Sequence, residues 1–87
     1  MPWGLAITKP ADRDLRRLSP NDLRRVNAAF EAMRRDPYGG DVKFLAGTAG
    51  TLRRRVGAWR IFFEVHQQRR TIVVLAVRRR TSTTYRG

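Results

Sequence analysis

Arg53, Arg55 and Arg60 stand where a tight turn brings them together. The runs Leu52-Arg53-Arg54-Arg55-Val56 and Trp59-Arg60-Ile61-Phe62-Phe63-Glu64-Val65 flank Gly57-Ala58, and glycine at the first central position suits a type II′ hairpin turn. Counting back from the turn, Val56 pairs with Trp59, Arg55 with Arg60, Arg54 with Ile61, Arg53 with Phe62 and Leu52 with Phe63. Side chains alternate between faces, so Arg53, Arg55, Arg60 and Phe62 share one face, while Leu52, Trp59, Ile61, Phe63 and Val65 supply the other. Like charges directly opposite one another destabilise a strand pair. Keeping Arg55 against Arg60, with Arg53 one step along, points to an anionic ligand, and the guanidinium fork suits phosphate. The alternative is a basic strand that is merely solvated.

The rest of the chain bears out a bias towards anions. The formal net charge is +12, and seventeen of the nineteen basic residues are arginine. Residues 1–50 hold nine basic and six acidic residues, whereas residues 51–87 hold ten basic residues and only Glu64, so the second half is the binding half. An anionic membrane surface fits less well, because these cations fall on predicted strands with no amphipathic helix to insert. With no cysteine, one histidine and seven scattered carboxylates, neither a disulfide framework nor a structural metal site is expected. No cofactor is expected either. Met1-Pro2-Trp3-Gly4 lacks the basic start and apolar core of a signal peptide, and a cytoplasmic location is the expectation. A chain of 87 residues supports one core, so residues 1–87 are expected to form a single domain.

That domain must hold the hairpin in a sheet. Trp3, Leu5 and Ile7 alternate with small residues as a short half-buried strand does. Thr8 can cap a following helix, with Pro10 in its first turn, Asp12 and Asp14 near its positive end, and Leu15 and Leu18 as its apolar stripe. Ser19-Pro20-Asn21-Asp22 starts a second helix running to about Arg35, and its stripe of Leu23, Val26, Ala29, Phe30 and Met33 is suited to packing on a sheet. Arg16-Arg17, Arg24-Arg25 and Arg34-Arg35 read as solvated faces. Asp36-Pro37-Tyr38-Gly39-Gly40 ends the helix, and Val42 to Leu45 is a short strand or a bulged entry. After a polar turn at His66 to Arg70, the unbroken apolar run Thr71 to Val77 predicts a central strand buried on both faces. The order β-α-α-β-β-β predicts an α+β domain with an antiparallel-rich sheet and two helices on one face.

This layout and its local motifs resemble the RelE/ParE superfamily of bacterial toxins from type II toxin-antitoxin systems. The resemblance covers nearly the whole chain. It is carried by the Trp3 to Thr8 strand running into a helix with Asp14-Leu15 and Leu18, by Asp36-Pro37, and by Val42-Lys43-Phe44-Leu45-Ala46-Gly47. It continues through Leu52 to Ile61, Val73 to Val77 followed by Arg79-Arg80, and Tyr85-Arg86. RelE-like members are implied to be ribosome-dependent endoribonucleases of messenger RNA, and ParE-like members to poison DNA gyrase. The RelE-type active positions fall on Arg53, Arg55, Arg60, Arg80 and Tyr85. Lys43, Arg54, Arg78, Arg79 and Arg86, with Phe62 as a stacking platform or a half-buried sheet residue, are the further RNA and phosphate contacts expected. The implied partners are the ribosome, messenger RNA and a cognate antitoxin with an acidic or amphipathic segment. This chain departs from the RelE pattern in three places. It carries arginine where lysine is frequent on the first hairpin strand, Arg79-Arg80 where a His-Arg pair is common, and one more residue before Tyr85.

The implied reaction sets what the residues must do. Cleaving RNA without a metal requires the 2′-hydroxyl to lose a proton and attack phosphorus while the leaving 5′-oxygen gains one. Arg53, Arg55 and Arg60 can stabilise the charge that develops on the phosphorane. Arginine does not titrate in the useful range, so Tyr85 is the best proton-transfer candidate, with stacking on a base as its alternative role. His66 is expected in an exposed turn, and Glu64 is expected to orient an arginine. Two other functions remain open on the residues: a ParE-like gyrase inhibitor without nuclease activity, and a non-catalytic basic module that binds nucleic acid.

Overall fold

In a computed structural model, residues 2–79 are described. The elements are β1 (Gly4–Ile7), α1 (Lys9–Arg16), α2 (Pro20–Arg35), β2 (Val42–Phe44), β3 (Leu52–Val56), β4 (Trp59–His66) and β5 (Thr71–Arg79). The helix starts follow the capping residues. Thr8 Oγ1 accepts from the Ala11 amide at 3.3 Å and Ser19 Oγ from the Asp22 amide at 3.2 Å, each satisfying a donor that the first helical turn leaves free.

The sheet order is β1-β5-β4-β3-β2. β1 runs parallel to β5, and every other pair is antiparallel. The segment at Val42 is thus a true strand, and it forms one edge of the sheet. Pairing in the hairpin is the one the turn dictates, from Val56↔Trp59 to Leu52↔Phe63. Gly57 has φ 60° and Ala58 is not left-handed, as a type II′ turn requires.

Both helices lie on one face of this sheet. Ala11 of α1 and Val26, Ala29, Phe30 and Met33 of α2 pack with Trp3, Leu52, Ile61, Phe63, Ile72, Val74 and Val77 in one buried cluster. The other face is left open by the described residues, and this is where β5 differs from the expectation. β5 is an interior strand but not the central one, and Val73, Leu75 and Ala76 are only half-buried, because no second layer among the described residues covers their side. A register shift at Phe62/Phe63 adds Leu75 as an extra residue opposite β4 and keeps Phe62 on the open face with Ala76.

α1 also closes an edge. β1 stops at Ile7, opposite Val74, so the rest of β5 has no described strand on the side away from β4. Thr8 Oγ1 donates to the Val74 carbonyl at 2.8 Å, and Asp14 Oδ2 accepts from the Val77 amide at 2.9 Å. Helix side chains thereby satisfy the edge that the missing strand would have paired. Arg34, read from the sequence as solvated, instead donates from Nε to the Trp3 carbonyl at 3.0 Å and fastens β1 to α2. No helix among the described residues is long and apolar enough to cross a membrane.

Candidate functional site

The open face carries the arginines in two rows that cross the sheet. Lys43, Arg53, Phe62 and Ala76 are successive cross-strand partners on β2, β3, β4 and β5. One step towards the hairpin turn, Arg55, Arg60 and Arg78 are partners on β3, β4 and β5. Adjacent strands are about 4.8 Å apart, so three guanidiniums occupy a strip roughly 10 Å wide. Five cations on one sheet face repel one another unless something offsets them.

Two carboxylates do so at the ends of the strip. Asp41 Oδ1 lies 3.6 Å from Arg53 Nη1 and its Oδ2 lies 3.7 Å from Arg55 Nε. At the other end, Asp14 Oδ2, already bonded to the Val77 amide, stands 3.4 Å from Arg78 Nε. The middle cation has neither. Arg60 Nε is buried and has no hydrogen-bond partner among the described residues, and no carboxylate there forms an ion pair with it. Arg53 Nη1 is likewise buried without a hydrogen-bond partner, on a side chain only 12% exposed. A buried guanidinium donor without an acceptor is unfavourable by itself. An anion above Arg60, reached from Arg53, Arg55 and Arg78, would satisfy it.

Phe62 lies half-buried in the first row, between Arg53 and Ala76, and Lys43 is exposed at the edge beside Arg53. Glu64 pairs with no arginine among the described residues: its Oε1 is 3.1 Å from Nε2 of His66, which ends β4 rather than lying in the turn. Arg54 and Arg79, expected among the phosphate contacts, are on the helix face. Alternation puts Arg54 opposite Ile61, where its Nη1 donates to the Gly39 carbonyl at 2.6 Å. Arg79 pairs with Trp59, and its guanidinium lies over the indole ring at 5.5 Å from the centroid. Arg80, Tyr85 and Arg86 lie outside the described residues.

Asp41 and Asp14 were not singled out as site residues by the sequence reading. Asp41 follows only once the structure pairs Lys43 with Arg53, which places the residue two positions earlier opposite Arg55. Asp14 had no signal in the sequence, because its contact with β5 depends on where α1 packs.

Comparison with known proteins agrees with the fold. Residues 5–83 match the family model described as the ParE toxin of the type II toxin-antitoxin system parDE. Toxin RelG of Mycobacterium tuberculosis is 32% identical over 78 residues, which is 88% of this chain and 90% of that protein. The chain belongs to the RelE/ParE toxin family. The crystal structure of the toxin-antitoxin complex RelBE2 from Mycobacterium tuberculosis contains a chain that matches this toxin with a TM-score of 0.83 at 33% identity, over 92% of this chain and 100% of that one. The RelE-RelB complex of Pyrococcus horikoshii OT3 matches with a TM-score of 0.81 over 94% and 99% of the two chains, and at 24% identity it bears on the fold alone.

Proposed function

We propose that the toxin is a ribosome-dependent endoribonuclease that cleaves messenger RNA without a metal ion. The observation that carries this reading is the Arg55-Arg60-Arg78 row, with carboxylates at its two ends and, at its centre, an Arg60 whose buried Nε has no hydrogen-bond partner among the described residues. In this mechanism Arg60 receives the scissile phosphate and Arg53 and Arg55 add donors as charge grows on the phosphorane, each well-placed donor lowering the barrier by about 2.7–4 kcal/mol. Phe62 is the platform on which a neighbouring base stacks, and Lys43 and Arg78 bind the flanking backbone. Tyr85 and Arg80 complete the site, Tyr85 moving the proton, and Arg86 adds to the attraction for RNA. The whole chain acts as one domain.

Relatives solved as toxin-antitoxin complexes support a cognate antitoxin as partner. The net charge of +12, and Phe44, 72% exposed on the edge strand, favour a segment that is both acidic and amphipathic. Co-expression with the product of the neighbouring small reading frame should give a tight complex, and a toxin recovered alone from cells that tolerate it would argue against this partner.

The match to the ParE model favours a second reading, inhibition of DNA gyrase by protein contact. Induced expression separates the two. Transcript cleavage that requires ribosomes is the expected result, whereas intact transcripts with gyrase-linked DNA breaks would select the second reading.

A further inference from the structure

The loop between α2 and β2 delivers one carboxylate to the open face. Asp41 precedes Val42, which pairs with Arg54, and its carbonyl accepts from the Arg55 amide at 3.0 Å, so it lies opposite Arg55 at the sheet edge. Its two oxygens then reach different guanidiniums, at 3.6 Å from Arg53 and 3.7 Å from Arg55. These distances lie within ion-pair range but beyond the roughly 2.7–2.9 Å of a charge-assisted hydrogen bond. Arg53 Nη1 accordingly has no hydrogen-bond partner among the described residues despite the nearby charge. The carboxylate attracts both cations and satisfies neither. Its own position is set by backbone: Gly39 and Gly40, held by Arg54, precede it, and the Val42 amide donates to the Gly40 carbonyl at 3.0 Å.

We infer that Asp41 is both the positioning residue of Arg53 and Arg55 and the anion with which an RNA phosphate competes for them. In the free toxin it keeps two adjacent guanidiniums side by side against their mutual repulsion. A phosphate, with more acceptor oxygens and free to approach to hydrogen-bond distance, makes the bonds that the carboxylate leaves unmade. The same side chain therefore weakens RNA binding and improves the alignment of the donors. This inference rests on the reading of the open face as an RNA phosphate site.

The Asp41→Asn variant separates the two effects. Fluorescence anisotropy with a single-stranded oligonucleotide methylated at every 2′-oxygen, which binds but cannot be cleaved, should show Kd falling about three- to tenfold at low salt, with the gain fading as ionic strength rises. Cleavage of ribosome-bound message at saturating toxin should slow by about tenfold, because the donors are no longer pre-aligned. Glu31→Gln is the control. It removes the same unit of charge from α2, where Glu31 faces Arg34 at 3.7 Å, and should leave both values unchanged.

Binding by Asp41→Asn no tighter than by Glu31→Gln, or an unchanged rate at saturation, would overturn the inference. If the wild type cleaves no message, the nuclease reading fails by itself; the affinity comparison still decides the competition, and the alignment is read from the arginine Nε–H resonances. Those of Arg53 and Arg55 should move in Asp41→Asn while that of Arg60 stays, and resonances that all stay would refute the positioning role. Should the variant not fold, inorganic phosphate titrated into the wild type should shift Arg53 and Arg55 saturably. No shift at either would refute the competition.

Discussion

The Arg54 guanidinium donates from Nη1 to the carbonyl of Gly39 at 2.6 Å, so the central arginine of the Arg53-Arg54-Arg55 run is tied to the loop after α2. Gly40, at φ 82°, gives it room: a Cβ there would stand 2.7 Å from the same nitrogen. One strand therefore secures the loop on the helix face and presents Arg53 and Arg55 to the residue that the loop delivers on the other. Arg54→Met keeps the aliphatic stem but orphans the Gly39 carbonyl, and should lower stability by about 1–3 kcal/mol. Thermal unfolding should show a fall of about 4–8 °C per kcal/mol lost. Gly40→Ala should be destabilising as well, since alanine meets both the left-handed backbone and the guanidinium.

Arg60→Ala should act in the opposite sense. It removes a like charge from between Arg55 and Arg78, so the melting temperature should hold or rise. Single-turnover cleavage of ribosome-bound message should nevertheless fall by about 10²–10³. A variant that melts well below the wild type would mark Arg60 as a structural residue and remove the centre of the proposed site.

The hairpin was legible because a two-residue turn with a leading glycine leaves one register, and that register places Arg53, Arg55 and Arg60 together. Alternation carried Arg54 to the other face by the same rule, although its charge had grouped it with its neighbours. What sequence could not supply was the company the arginines keep. Asp41 meets Arg53 and Arg55 through the pairing of a three-residue strand too short to show a period, and Asp14 meets Val77 and Arg78 across the fold. The apolar run of β5 misled for a related reason. Unbroken hydrophobicity implied two covered faces, but two helices suffice for only one, and Val73, Leu75 and Ala76 remain half-exposed beside Phe62.

Asp14 offers a test of that long-range contact. Asp14→Ala deprives the Val77 amide of its acceptor on an unpaired strand edge and frees Arg78, for an expected loss of about 1–3 kcal/mol. Asp14→Asn keeps a carbonyl oxygen for the amide while removing the charge, so it should recover most of the stability. Hydrogen exchange at Val77 is the direct measurement: fast in Asp14→Ala, slow in Asp14→Asn. Equal protection in both would show that the side chain does not close the β5 edge.

Proton transfer needs a group that the arginine rows do not contain, since guanidinium stays protonated throughout the useful pH range. Tyr85 is the residue proposed for this task. Tyr85→Phe keeps the ring and any stacking but loses the hydroxyl, so the cleavage step should fall by roughly 10²–10⁴. Ribosome affinity and its salt dependence should stay near the wild-type values, because the arginines supply that attraction without the phenol. Tyr85→Ala should damage both binding and cleavage. Single-turnover cleavage by Tyr85→Phe at the wild-type rate would reject proton transfer by this residue and leave the ring as a stacking surface for the base.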